Sequence, residues 1–171
     1  MNTYIISDTH FDHHNVIKYC NRPFSSVDEM NESLINNWNK VVKSEDLVIH
    51  LGDFAMTRKR QRVRELRNYL NGRIVLVRGN HDNFDIDFYS EVFDFVCSSF
   101  VLHNIYFTHR PYEHITYSDF SLNVHGHIHN NLKDGYVLDP SIYVNVSCEL
   151  TNYEPMNISN ILDFKKQLNL K

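Results

Sequence analysis

The chain has 171 residues, of which 42% are hydrophobic, 22% charged and 13% aromatic, a length expected to form one domain, residues 1–171, around a buried core. Five Gly and four Pro exclude a linker-rich or low-complexity polymer, and a net charge of −4 leaves no overall basic footprint for nucleic acid. The three cysteines, Cys20, Cys97 and Cys148, contain no CxxC pair, which argues against a disulfide framework and against a cysteine-ligated zinc site. The segment from Met1 to Asp8 has no basic stretch ahead of a long apolar run, and no apolar run approaches the roughly 18 residues that span a bilayer. A soluble cytoplasmic protein with no membrane partner is the expectation.

In chain order, short runs rich in Val, Ile, Phe and Tyr predict strands at Tyr4–Ser7, Leu47–Leu51, Ile74–Arg78, Phe93–Cys97, Ile105–Thr108, Leu122–His125 and Tyr143–Val146. Helical spacing appears between some of them. Val27–Val42 places Met30, Leu34, Trp38 and Val41 three to four apart, with Ser26 as cap and Glu29 in the capping-box position. Thr57–Leu70 carries Val63, Leu66 and Leu70, with Thr57 as cap and Gly72 as stop. Ile158–Leu168 is the last predicted helix. Strands and helices alternate in the first half and strands dominate the second, so an α/β (α+β) domain with helix-covered sheet layers is expected.

Eleven histidines stand against five glycines. Five successive apolar runs end in metal-competent residues: Asp8-Thr9-His10, Gly52-Asp53, Gly79-Asn80-His81-Asp82, His109, and Gly126-His127-Ile128-His129. In α/β folds ligands collect at the carboxyl ends of strands. In extended backbone i and i+2 point the same way, so Asp8 and His10 can face one ion, and His127 and His129 share the same spacing of two. Carboxylates, imidazoles and an Asn carbonyl suit Mn²⁺, Fe, Zn²⁺ or Ni²⁺. Asp8, His10, Asp53, Asn80, His109, His127 and His129 are too many ligands for one ion and suit two divalent ions with a bridging carboxylate. Such a site would be locally cationic and would favour an anionic substrate.

This ordered set resembles the calcineurin-like metallophosphoesterase superfamily, in its small single-domain bacterial and phage branch. The resemblance implies a four-layer α-β-β-α sandwich of two mixed β-sheets flanked by helices, with the site at one edge. It implies a first metal held by Asp8, His10, Asp53 and His129, and a second held by Asp53, Asn80, His109 and His127. It further implies a metal-bridging water or hydroxide as nucleophile, and His81 as the catalytic histidine, with Asn80 also reaching the phosphoryl oxygen. Protein phosphatases of the superfamily follow the Gly-Asp motif with a catalytic Asp and Arg. Here Gly52-Asp53 is followed by Phe54-Ala55-Met56-Thr57, which argues against that activity.

Other residues carry weaker signals. His13, three after His10, and Arg110, next to His109, are candidate substrate-binding residues; Arg22 and Arg78 are lesser ones. His50 and His125, ahead of glycines, read as supporting or core histidines. The stretch 58–67 holds six of the seventeen basic residues, and Arg60, Arg64 and Arg67 would share a helix face, either solvated or facing a nucleic acid. The expected function is a dinuclear metal-dependent phosphodiesterase acting on a small phosphoester or nucleotide-like substrate, most simply with Mn²⁺. The alternatives are a phosphomonoesterase with the same chemistry, or a noncatalytic protein-interaction module on the same fold.

Overall fold

The computed structural model describes residues 1–112, 121–130 and 138–167. Two mixed sheets stack on each other. The first has the order β4-β3-β2-β1-β9, built from β1 (Thr3–Ile6), β2 (Leu47–His50), β3 (Arg73–Val77), β4 (Phe95–Cys97) and β9 (Met156–Asn157). Its strands β1 to β4 are parallel, and β9 is antiparallel to β1. The second has the order β5-β6-β7-β8, from β5 (Ser99–Leu102), β6 (Ile105–Thr108), β7 (Leu122–His125) and β8 (Tyr143–Asn145); only the β5–β6 pair is antiparallel.

Strand alternation sorts the apolar side chains into two cores. Ile6 of β1, Val48 of β2, and Ile74 and Leu76 of β3 face the helices α1 (His14–Tyr19), α2 (Val27–Val41), α3 (Arg60–Asn68) and α4 (Ile86–Val92). Ile5, Ile49 and Val77 face the other way, against Ile105, Phe107, Leu122 and Val124 of the second sheet. Ile161 of α5 (Ser159–Gln167) closes that inter-sheet core. Among the described residues no helix is long and apolar enough to cross a membrane.

All seven predicted strands form, within two residues of their expected ends. The predicted α2 begins as expected: the Ser26 hydroxyl accepts from Glu29 N–H at 3.1 Å. The Glu29 carboxylate reaches one residue further back than a capping box requires, to Ser25 N–H at 2.8 Å. Helix α3 starts three residues later than its predicted Thr57 cap, because the Thr57 hydroxyl accepts from Lys59 N–H and closes a local turn instead. The predicted end of the last helix, Leu168, lies outside the described residues. Helices α1 and α4 and strands β5 and β9 carry no helical or alternating pattern long enough to read. Helix α4 depends on Asp85, whose carboxylate caps Phe88 N–H at 2.8 Å, and on two adjacent buried aromatics, Phe88 and Tyr89.

Burial dominates capping in α2. Leu34→Ala, at a site 2% exposed, is expected to cost about 2–5 kcal/mol, and Ser26→Ala about 1 kcal/mol. Denaturant unfolding curves that place the two losses in the reverse order would contradict this packing.

Candidate metal centre

Parallel pairing brings the carboxyl ends of β1, β2 and β3 to one edge, with Ile6 opposite His50 and His50 opposite Leu76. The segments that follow carry Asp8, Asp53 and Asn80. Parallel β6 and β7 deliver His109 and His127 from the second sheet. The two sheets meet at this edge through Ser7, whose N–H donates to Val146 O at 3.0 Å and whose carbonyl accepts from Cys148 N–H at 3.0 Å.

The ligand backbone is not extended. Asp8, His10, Asp53, His127 and His129 have φ of 57, 49, 56, 70 and 50°, in the left-handed region that side chains disfavour. The extended backbone assumed for the i, i+2 spacing is therefore absent at these residues. Asp8 and His10 converge because of these turns, while His127 and His129 separate into two different clusters. One cluster is Asp8, His10 and His129; the other is Asp53, His109 and His127, with candidate ligand atoms within 4.8 Å of one another in each.

Asp53 joins the clusters. Its Oδ2 lies 3.4 Å from His10 Nε2 and 3.4 Å from His109 Nε2, and its Oδ1 accepts from His81 N–H at 2.8 Å. His109 Nδ1 donates to Leu51 O at 2.8 Å, which turns Nε2 toward Asp53 and toward Asn80 Oδ1, 3.0 Å away. Asp8 Oδ2 accepts from His127 N–H and from the Ser147 hydroxyl, both at 2.9 Å. Asp8 Oδ1 points toward His129 Nε2 at 3.9 Å.

A divalent cation fits this donor set. Among the described residues Asp8 Oδ1 and His10 Nε2 are buried with no hydrogen-bond partner, which a native fold tolerates only where something else satisfies them. The same carboxylates favour protonated rings at His109 and His129. Burial opposes a charge on His109, but the hydrogen bond to Asp53 and the charges of Asp8 and Asp53 outweigh it and raise its pKa to about 9. For His129 burial is likewise outweighed, by Cys20, Glu149 and Asp8, and its pKa rises to about 11. Burial raises the Asp53 pKa, yet His10 and His109 hold that carboxyl far below the usual range. His127 is pushed down to about 4 by burial, His109 and Arg110.

Around the ligands, His81 places its ring 5.4 Å from that of His10. His13 Nδ1 lies 3.2 Å from His10 Nδ1, and burial with the neighbouring His10 and His81 lowers its pKa to about 4. Both rings line a groove of about 450 Å³ that opens beside the centre, with Tyr19, Met56, Ile128 and His129. Arg110 is exposed. Arg22 and Arg78, read as lesser phosphate candidates, are committed elsewhere: Arg22 is 4% exposed and donates to Asp8 O and Thr9 O, and Arg78 donates to Asp82 O and Phe84 O.

The basic stretch is engaged within the fold. Arg60 pairs with Asp85, Arg62 with Asp12, Arg64 with Glu91 and Arg67 with Asp94. Arg60 and Arg64 each cover the Phe88 ring at 5.0 Å, so the shared face is a seam against α4.

Several supporting residues escaped sequence reasoning. Asp82, which an extended backbone would turn away, accepts from Asp53 N–H, Phe54 N–H and Gly79 N–H at 2.8–3.0 Å and braces the bridging carboxylate from behind. Ser147, Cys148 and Glu149 lie about 140 residues from Asp8, where no local spacing could announce them. His50 is fully buried and neutral: it accepts from Gly52 N–H at 3.2 Å, and its other nitrogen meets the Thr9 hydroxyl at 3.0 Å.

The sequence profile of the calcineurin-like phosphoesterase superfamily domain matches residues 1–146. The chain belongs to that superfamily. An uncharacterized protein from Methanocaldococcus jannaschii is 44% identical over 162 residues, 93% of this chain and 88% of that one. The crystal structure of a protein of unknown function from Aquifex aeolicus matches with a TM-score of 0.75 at 28% identity, over 95% of this chain and 98% of that chain. The two-sheet sandwich is thus shared with a solved relative. Membership in the calcineurin-like family implies metal-dependent phosphoester hydrolysis, and two candidate ligand clusters are present for it.

Two measurements test this geometry. A Cβ at Gly126 would collide with Ser7 Oγ and Asp8 Oδ2, so Gly126→Ala should lower the melting temperature and weaken metal binding at the Asp8 cluster; unchanged binding would refute the close approach. His50 and His125 have pKa values lowered by burial to about 3 and about 4, against 6.5 unfolded. With His13 and His127 they contribute stability that is full above pH 6.5 and is lost as pH falls toward 4, because the unfolded chain binds the protons first. The melting temperature of metal-free protein should fall across pH 6.5–4.5, ahead of carboxylate protonation, and His50→Gln should flatten the slope.

Proposed function

We propose that the protein is a dinuclear metal-dependent phosphodiesterase acting on a small or nucleotide-like substrate. The observation that carries the reading is Asp53 Oδ2, equidistant from His10 and His109 between two ligand clusters. Asp8, His10, Asp53 and His129 would hold one ion, and Asp53, Asn80, His109 and His127 the other. When bound, such an ion pair lowers the pKa of water and neutralises phosphoryl charge, and Mn²⁺, Fe, Zn²⁺ or Ni²⁺ are compatible with these donors.

The chain's own groups supply the remainder. His81, tethered by its N–H to Asp53 Oδ1, sits at the mouth of the groove and protonates the departing alkoxide as the P–O ester bond breaks. The Asn80 amide reaches the phosphoryl oxygen from beside His109. Hydrogen bonds to the Asp82 carboxylate and the Leu51 carbonyl, and from the Ser147 hydroxyl, keep the charged ligands preorganised, so little reorganisation accompanies reaction. Preference for a diester is supported by the groove. Among the described residues its lining contains His13, Tyr19, Met56 and Ile128 and no Lys or Arg, which suits the single charge of a diester better than the second charge of a monoester. Tyr19 is 68% exposed and its ring lies 6.4 Å from that of His13, in place to stack on a base.

Mn²⁺-loaded protein is expected to hydrolyse bis-p-nitrophenyl phosphate faster than p-nitrophenyl phosphate. Asp53→Asn should abolish turnover and weaken both metal sites. His81→Ala should lower kcat by about 10²–10⁴-fold while metal stays bound. Faster monoester turnover would establish the phosphomonoesterase instead, and a metal-loaded protein inert toward every phosphoester would end the enzymatic reading.

A further inference from the structure

We propose that the buried Arg22–Glu149 pair is the positioning device of the first-metal cluster, with Glu149 orienting His129 and Arg22 tying His129 to the backbone that carries Asp8 and His10. The inference rests on the metal-centre reading above. Glu149 Oε1 lies 3.0 Å from His129 Nδ1, in position to accept its proton. The same oxygen accepts from Arg22 Nε at 2.9 Å and Nη2 at 2.7 Å. A ring that donates through Nδ1 has its Nε2 lone pair free, and that atom is the one facing Asp8 Oδ1.

Arg22 completes the link. Its Nη2 donates to Asp8 O at 2.7 Å and its Nη1 to Thr9 O at 2.9 Å. These carbonyls belong to the left-handed turn that aims Asp8 and His10. One guanidinium thus joins the turn after β1 to the carboxylate that grips the ligand after β7. Asn145 Nδ2 adds a hydrogen bond to His129 O at 2.8 Å, and Cys148, the neighbour of Glu149, donates its thiol to Asp8 O at 3.2 Å. The side chains of Arg22 and Glu149 are 0% and 2% exposed. Their charges cancel, so the pair adds no net charge to the centre; what it contributes is direction. A buried ion pair is by itself weak evidence for stability, since apolar residues of similar volume often serve as well. Apolar residues could not fix a histidine tautomer or hold two carbonyls of a strained turn.

A competing arrangement uses the same atoms. Cys20, His129 and Glu149 also present ligand atoms within 4.8 Å of one another. An ion there would need His129 Nδ1 and would sit against the Arg22 cation, which already holds Glu149.

Calorimetric titration of the metal-free full chain with Mn²⁺ separates these readings. Wild type should show two binding events. Glu149→Ala should weaken one of them by about 10–100-fold and leave the other in place, and Glu149→Gln, which keeps an acceptor for His129, should recover part of the loss. Parallel weakening of both events, or no change in either, would overturn the proposal. Long-range ¹H–¹⁵N spectra of Zn²⁺-loaded wild type need no variant to fold. They should show His129 protonated at Nδ1 and metal-shifted at Nε2, and a metal-shifted Nδ1 would overturn the assignment in favour of the Cys20 arrangement. Two bound ions without turnover on any phosphoester would end the enzymatic reading and leave this inference standing.

Discussion

Left-handed backbone at Asp8, His10 and Asp53 is the constraint on which the centre depends. Each such residue costs on the order of 1–3 kcal/mol, and nothing local repays that. The two turns that contain them run side by side, with Asp8 N–H donating to Gly52 O, His10 N–H to Asp53 O and Phe11 N–H to Phe54 O. Each strained turn is thereby the hydrogen-bond partner of the other. Beneath them Phe11 and Phe54 pack at 5.3 Å in the helix-side core, so the aromatic layer anchors the same two segments.

Asp53 gathers the consequences. Asp82 holds its backbone N–H, its Oδ1 holds the N–H of His81, and its Oδ2 stands between the two imidazoles. A single side chain thus couples the position of the proposed catalytic histidine to both ligand clusters. Gly79 lies against it so closely that a Cβ there would strike the carboxylate, which explains a glycine at the end of β3. Charge is managed on the same principle. The carboxylates next to His109 and His129 raise those pKa values, while His13, His50 and His125 are kept neutral by burial.

Eight of the eleven histidines divide by environment. Four point into the clusters, His13 and His81 line the groove, and His50 and His125 are buried in the fold. Similarly, in one dimension the basic stretch reads as either a solvated helix face or a surface for a polyanion. In three dimensions four of its arginines meet carboxylates from Asp12, Asp85, Glu91 and Asp94.

The sequence alone determined seven of the strands, the amphipathic helices α2 and α3, and the order of the ligand residues after successive strands. Those features are written in local periodicity, in capping residues such as Ser26, and in the way parallel strands align their carboxyl ends. Short elements without periodicity, α1, α4, β5 and β9, were decided by tertiary packing. So were the left-handed turns that aim the ligands, the role of Asp82 and the reach of Arg22 and Glu149 into the centre. These depend on positive φ values and on contacts between distant residues, such as Ser147 with Asp8, 139 positions apart. Local sequence carries no signal for a contact of that kind, because its energy exists only once both sheets have folded against each other.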